Sequence, residues 1–347
     1  MPVTSESMTT SRRRIASVSC MHALIDFLCA FSMFGIFHQG NNLFVSFWTY
    51  NFCAFALQLP IGILADHFVA ESTQAKQKIP FLLVSAGILL TVAGCFTNPV
   101  ILGLGNALFH TGGGIVSIQE DDHAGMKGAG LGVFVAPGAV GLFLGGVIAG
   151  ASRAVVAGGA FLILAALWFV LWNEVRNDPA GSQQEVRLPS DKYAWIVFAG
   201  CFAVVVLRSA IGLSVPFAWK TGFWPSFAAV AALALGKTAG GFLSARYGAR
   251  KTMIVSLLTA AVCYGFKDIP LFGILALFTF NMTMPVTLYT LAKRFGGMPG
   301  FAFGALTFAL FLGYAFVTGH RNPVPLFGTV GSIVSLLVLW PLVKDYE

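Results

Sequence analysis

Twelve apolar runs, most of them long enough for a helix to cross a bilayer, follow one another along this chain with little between them. Their approximate limits are 15–37, 43–66, 79–97, 99–119, 128–150, 154–173, 193–218, 223–245, 252–266, 270–292, 300–318 and 324–343. In lipid every backbone polar group must be satisfied within the protein, which a helix does along its own length. The expected fold is all-α and integral to the membrane, with twelve transmembrane helices. Composition agrees: 10% of residues are charged, against about 25% in a soluble domain.

One long polar connection, Asn173 to Lys192, divides the runs six and six. The expected organisation is a cytoplasmic tail (1–14), a six-helix bundle (15–173), a cytoplasmic linker (174–192) and a second bundle (193–343), pseudo-symmetric around a central cavity. The halves echo each other. Helix 2 ends Gly62-Ile-Leu-Ala-Asp66-His67, and helix 8 ends Gly241-Phe-Leu-Ser-Ala245-Arg246. Asn106 and His110 in helix 4 have the spacing of Asn281 and Pro285 in helix 10. Weak self-similarity of this kind is how parallel transporter repeats show in sequence.

The net charge is +7, but its placement argues against nucleic acid. Of 21 Lys and Arg, fifteen fall in loops on one side of a twelve-helix chain and four on the other. Positive charge stays inside, so both termini are expected in the cytoplasm of a multi-pass plasma membrane protein, of the bacterial inner-membrane kind. Arg12, Arg13 and Arg14 precede the first run as in a signal peptide. That run is too long for a signal core and lacks a clear cleavage site, so a retained helix is expected. The six cysteines lie within apolar runs without paired spacing and read as small core residues.

A few polar groups interrupt the runs. Asp26 lies within 15–37, with His22 one turn before it on the same face. A carboxylate at that depth is costly and marks a proton relay or substrate site by default; the pair is suited to exchanging a proton, or else to tying helix 1 to a neighbour. Arg208 in helix 7 stands at nearly the position that Asp26 has in helix 1. It is read as an ion-pair partner, as an open clamp for an anion, or as structural. Lys237 faces a cavity or partner, or snorkels. His110 sits near the middle of helix 4. Asn51, Gln58, Asn106 and Asn281 are candidates for a cavity wall or for interhelical glue. Glu120, Asp121, Asp122 and His123 cluster after helix 4 and read as solvated charge rather than a metal site, with pairing to Arg246, Arg250 or Arg294 as an option.

These features together resemble the major facilitator superfamily over nearly the whole chain. The resemblance implies a loop motif, Gly-x-x-x-Asp-Arg/Lys-x-Gly-Arg/Lys-Arg/Lys, that holds the cytoplasmic gate closed. Its first copy here keeps Gly62 and Asp66 but has His67, Val69, Ala70 and Glu71 at the remaining positions. The second keeps Gly241, Arg246, Gly248, Arg250 and Lys251 but has Ala245 in the acidic place. Gly103-Leu-Gly105-Asn106-Ala-Leu-Phe-His110 and the His22/Asp26 pair are similar to the fosmidomycin-resistance-like branch. Gly132 to Gly146, with Pro137 and Gly138, looks like the Gly/Pro-rich helix 5 of proton-driven exporters.

The resemblance implies a secondary transporter working by alternating access. The expected activity is proton-coupled export of a small organic solute, an organic anion or an amphipathic compound. The proton is the coupling ion; no cofactor or metal and no oligomer is expected. The alternatives are a non-transporting sensor or scaffold, or an intramembrane enzyme using His22, Asp26 and His110.

Overall fold

A computed structural model describes residues 5–39, 42–71, 75–177, 191–319 and 326–345. These residues are helical with no strand among them, and a helix covers each of the twelve runs. They are α1 (Ser5–Gly35), α2 (Leu43–Phe68), α3 (Ala75–Gly94), α4 (Pro99–His123), α5 (Ala129–Val147) and α6 (Arg153–Asn177). Then come α7 (Lys192–Ser214), α8 (Phe223–Tyr247), α9 (Ala249–Gly265), α10 (Pro270–Arg294), α11 (Pro299–Gly319) and α12 (Phe327–Leu339). Ten of them are long and apolar enough to cross a membrane; α9 and α12 are shorter. The chain is a multi-pass membrane protein. Residues 178–190, most of the polar connection, lie outside the described residues.

Prolines set the breaks. A proline lacks the N–H for the carbonyl four residues back and its ring crowds that carbonyl. Ahead of Pro60, α2 widens to a π-turn over Phe52–Ala56. Ala136 interrupts α5 just before Pro137, and Met282 interrupts α10 three residues before Pro285. At the start of α4, Pro99 occupies the first turn and the Asn98 side chain accepts the N–H groups of Val100 and Ile101 at 3.0 and 3.1 Å.

The first helix starts earlier than the tail boundary drawn from sequence, at Ser5 rather than near Ile15. Charge burial explains the extension. Arg14, 3% exposed, donates to Glu120 Oε1 at 2.7 Å and to the Glu174 carbonyl at 2.6 Å. The Ser11 hydroxyl donates to the other Glu120 oxygen at 2.6 Å. The solvated-charge reading of the acidic cluster therefore fails for Glu120 and Asp121, both of which are buried.

Two compact units divide the chain differently from its sequence halves. One comprises 1–125, 137–187 and 296–308; the other comprises 126–136, 188–295 and 309–347. Within the first, Gly62 of α2 meets the backbone of Gly300 at the start of α11, so closely that a side chain on either would collide. Within the second, Gly241 of α8 meets the backbone of Gly128 and Gly132 at the start of α5. Glycine allows such backbone-to-backbone approach, and the fifth helix of each half is split between units at its proline or close after its crossing.

Candidate functional site

In the first unit, α1 and α4 bring together one carboxylate and two imidazoles. His22 Nε2 lies 3.1 Å from Asp26 Oδ2, and His110 Nε2 lies 3.4 Å from Asp26 Oδ1. The imidazole rings stand edge to face with centroids 4.5 Å apart. Asn106 Nδ2 donates to Asp26 Oδ1 at 3.2 Å and touches Cys29 Sγ at 3.4 Å, while its own Oδ1 is buried without a partner. His110 Nδ1 is 2.9 Å from the Asn106 carbonyl, which fixes the ring and points Nε2 at the acid. All four residues are buried.

The cluster needs Gly138. A Cβ there would fall on His22 Nε2 and Asp26 Oδ2. Three and seven residues on, Gly141 and Gly145 press against the carbonyls of Ala23 and Phe27. The second part of α5 thus lies along α1 as a glycine face, and the His22–Asp26 pair sits at one end of that seam. The two imidazoles and the carboxylate each offer an atom within 4.8 Å of the others, a spacing that would also suit a cation. Both carboxylate oxygens also accept or face a donor within the cluster, Oδ1 from Asn106 and Oδ2 beside His22.

The other residues singled out from sequence fall elsewhere. Gln58, Asn51 and Asn281 each donate to the carbonyl four residues back in their own helix, Ala54, Phe47 and Leu277. Such local bonds to the preceding turn occupy the amide within its own helix. Lys237 of α8 donates to the Val135 carbonyl at 3.0 Å, next to the break in α5. Arg208 is 6% exposed, and its Nη1 is buried with no hydrogen-bond partner.

No protein-family model matches the sequence, and no curated protein is similar to it at the sequence level. Solved structures are similar to it in three dimensions. One is a major facilitator superfamily transporter, FucP, in the outward conformation: TM-score 0.60, 13% identity, covering 93% of this chain and 97% of that one. Another structure of the E. coli fucose:proton symporter FucP gives 0.60 at 12% identity, covering 96% of each chain. The human organic anion transporter MFSD10 gives 0.65 at 14% identity, covering 96% of this chain and 99% of that one. The chain has the major facilitator fold.

The divergent loop motif can be placed in that fold. Asp66, 2% exposed, accepts the N–H of Gly300 at 2.8 Å and of Phe301 at 2.7 Å, one on each oxygen. It caps the first turn of α11, where free N–H groups and the helix dipole favour an anion. In the second copy Ala245 has no carboxylate to offer, and Asp345 near the C-terminus supplies one. Its Oδ1 accepts the N–H of Arg250 at 3.0 Å in the first turn of α9, and Gly248 beside it has φ +95°, which favours glycine. Arg246 and Arg250 lie over the rings of Tyr247 and Trp340, and Lys251 is exposed. Sequence reasoning missed Asp345, the pairing of Arg14 with Glu120 and the contact of Gly138 with the His22–Asp26 pair, each of which depends on a neighbour remote in the chain.

Proposed function

We propose that this protein is a secondary active transporter, and not an enzyme, that moves a small organic solute by alternating access and couples it to protons through His22, Asp26 and His110. The observation that carries the reading is the buried cluster itself. One carboxylate with an imidazole on each oxygen, inside membrane-spanning helices, is costly unless it has a task. Such a cluster takes up and releases protons as a unit, so its proton count belongs to the group rather than to one residue.

Export against a proton is the direction supported by the Gly/Pro-rich α5, whose glycines hold the coupling helix α1. Symport is the second reading, favoured by the likeness to FucP, a fucose:proton symporter. The likeness to MFSD10, an organic anion transporter, favours organic anions as candidate solutes. Closure of the cytoplasmic side through Asp66 and α11, a bacterial inner-membrane setting, cytoplasmic termini and a monomeric state complete the proposal.

Proteoliposomes filled with a pH-sensitive dye test it. Organic anions and amphipathic cations are added outside one at a time. Entry of solute with a proton acidifies the lumen; entry against a proton makes it alkaline. Asp26→Asn should abolish the pH signal while folded protein remains in the membrane. Solute flux whose pH dependence survives Asp26→Asn removes the cluster from coupling. Absence of flux for every compound would favour the sensor or scaffold.

A further inference from the structure

His110 turns an acceptor, not a donor, toward Asp26. A backbone carbonyl can only accept, so the 2.9 Å contact with the Asn106 carbonyl puts the ring proton on Nδ1. In the neutral ring the bare lone pair of Nε2 then faces Asp26 Oδ1, 3.4 Å away. Two acceptors oppose each other there, and a positive charge between them removes the repulsion. A further acceptor of the cluster is equally unmatched. Asn106 Oδ1 is buried and accepts nothing, although the nitrogen of the same amide lies on Asp26. A buried acceptor without a counterpart carries its desolvation penalty.

A metal ion would match every one of these groups. Histidines that ligate a metal donate their other ring N–H to a carbonyl or carboxylate, which fixes ring and tautomer, and His110 does so. Two ligand atoms about 2.1 Å from one zinc ion at tetrahedral angles stand about 3.4 Å apart. The imidazole nitrogens lie 3.1 Å (His22) and 3.4 Å (His110) from the carboxylate oxygens, and the three residues each offer an atom within 4.8 Å of the others. Among the described residues no other trio of His, Cys, Asp or Glu has that spacing. Gly138 puts no side chain beside His22 Nε2 and Asp26 Oδ2, where a Cβ would collide with both. A half-turn of the Asn106 amide would set Oδ1 where Nδ2 now stands, 3.2 Å from Asp26 Oδ1, and supply a fourth ligand. Two imidazoles and a carboxylate suit zinc, cobalt or nickel, whereas calcium and magnesium take all-oxygen surroundings. His22, Asp26 and His110 keep 7, 8 and 6% of their surface exposed, so the cluster is not sealed.

We infer that His22, Asp26 and His110 form a binding site for a divalent transition-metal ion of the zinc class. It departs from the expectation, drawn from sequence, that no metal takes part, because only the packing of α4 on α1 completes the trio. Ligating nitrogens must be free of protons, so the proton between His22 and Asp26 leaves to solvent as the ion enters. The inference rests on the transporter reading in one respect: alternating access is what lets an ion reach so buried a cluster.

Zn²⁺ is the probe, with Ca²⁺ and Mg²⁺ as the oxygen-seeking counterparts, added to the full chain purified in detergent after treatment with a chelator. Calorimetry should show one Zn²⁺ per chain, bound at least about tenfold tighter than Ca²⁺ or Mg²⁺. His22→Gln and His110→Gln should each weaken Zn²⁺ by about tenfold or more. His123→Gln, at the end of α4 in the acidic cluster, should bind as the wild type does. Zinc-edge X-ray absorption on the wild type, which no misfolded variant can obscure, should show two imidazoles and no sulfur. Absence of saturable binding, Ca²⁺ bound as tightly as Zn²⁺, a sulfur ligand, or unchanged affinity in both His→Gln variants would overturn the proposal. Proton-linked solute flux in proteoliposomes separates the two claims. Flux by a protein that binds no Zn²⁺ sinks the site and leaves the transporter standing; Zn²⁺ binding without flux of any solute does the reverse.

Discussion

Gly138, Gly141 and Gly145 face the same helix but touch different things, so the same change at each should have different consequences. A methyl on Gly141 would overlap the Ala23 carbonyl, and one on Gly145 the Phe27 carbonyl. Those are backbone atoms of a long helix, so α1 must shift bodily. Overpacking of that kind costs about 1–3 kcal/mol. A methyl on Gly138 meets only side-chain ends, His22 Nε2 and Asp26 Oδ2. They can move, but not while keeping their 3.1 Å contact. Its cost is therefore mainly the lost hydrogen bond, about 1.5–3 kcal/mol for one to a charged group, well above the roughly 0.6 kcal/mol average of interhelical bonds in a membrane. The prediction concerns coupling. Each Gly→Ala is made in wild type and in His22→Ala, and stability is read from reversible SDS unfolding in mixed micelles. His22→Ala opens the space into which Asp26 can swing, so Gly138→Ala should cost at least about 1 kcal/mol less there, a factor of roughly five in the unfolding equilibrium. Gly141→Ala should cost the same in both backgrounds. Equal cost of Gly138→Ala in the two would refute the claim that this glycine exists to seat the His22–Asp26 pair.

Two further outcomes are expected at the loop motif. Asp66→Asn keeps the shape but offers one acceptor where two N–H groups wait, so backbone hydrogen exchange at Gly300 and Phe301 should quicken about tenfold or more; unchanged exchange would show that Asp66 does not hold α11. Asp345→Ala should quicken exchange at Arg250 by about fivefold, the usual worth of a helix cap being near 1 kcal/mol, and an unaffected Arg250 would mean that the C-terminal carboxylate is incidental.

The helices were legible in sequence because the bilayer admits so few alternatives: every apolar run of sufficient length had to become a helix, and each of the twelve did. The His22–Asp26 pair was legible for a similar reason, since spacing i, i+4 on one helix is contact by geometry alone. The joining of His110 and Asn106 to that pair was not, because it depends on how α1 and α4 pack. Asn51, Gln58 and Asn281 looked equivalent to Asn106, and the difference is local: each folds back on its own helix, whereas Asn106 has the Asp26 carboxylate within reach across the helix interface.

The divergent loop motif makes the stronger argument about what a sequence pattern encodes. Read as a string, its first copy has lost its basic residues and its second has lost its acid. Read physically, the requirement is an acceptor at the free first turn of a helix and a glycine where two backbones meet. Both copies keep the glycine, at Gly62 and Gly241, and each crossing brings the chain backbone to backbone. The first copy keeps its acceptor in Asp66. At the second, the chain provides one from about a hundred residues further on, in Asp345, which is 95 residues from the N–H it caps. What persists is therefore the satisfied helix terminus and the close crossing rather than the residue types, and a substitution there is best judged by which free N–H or which contact it leaves without a counterpart.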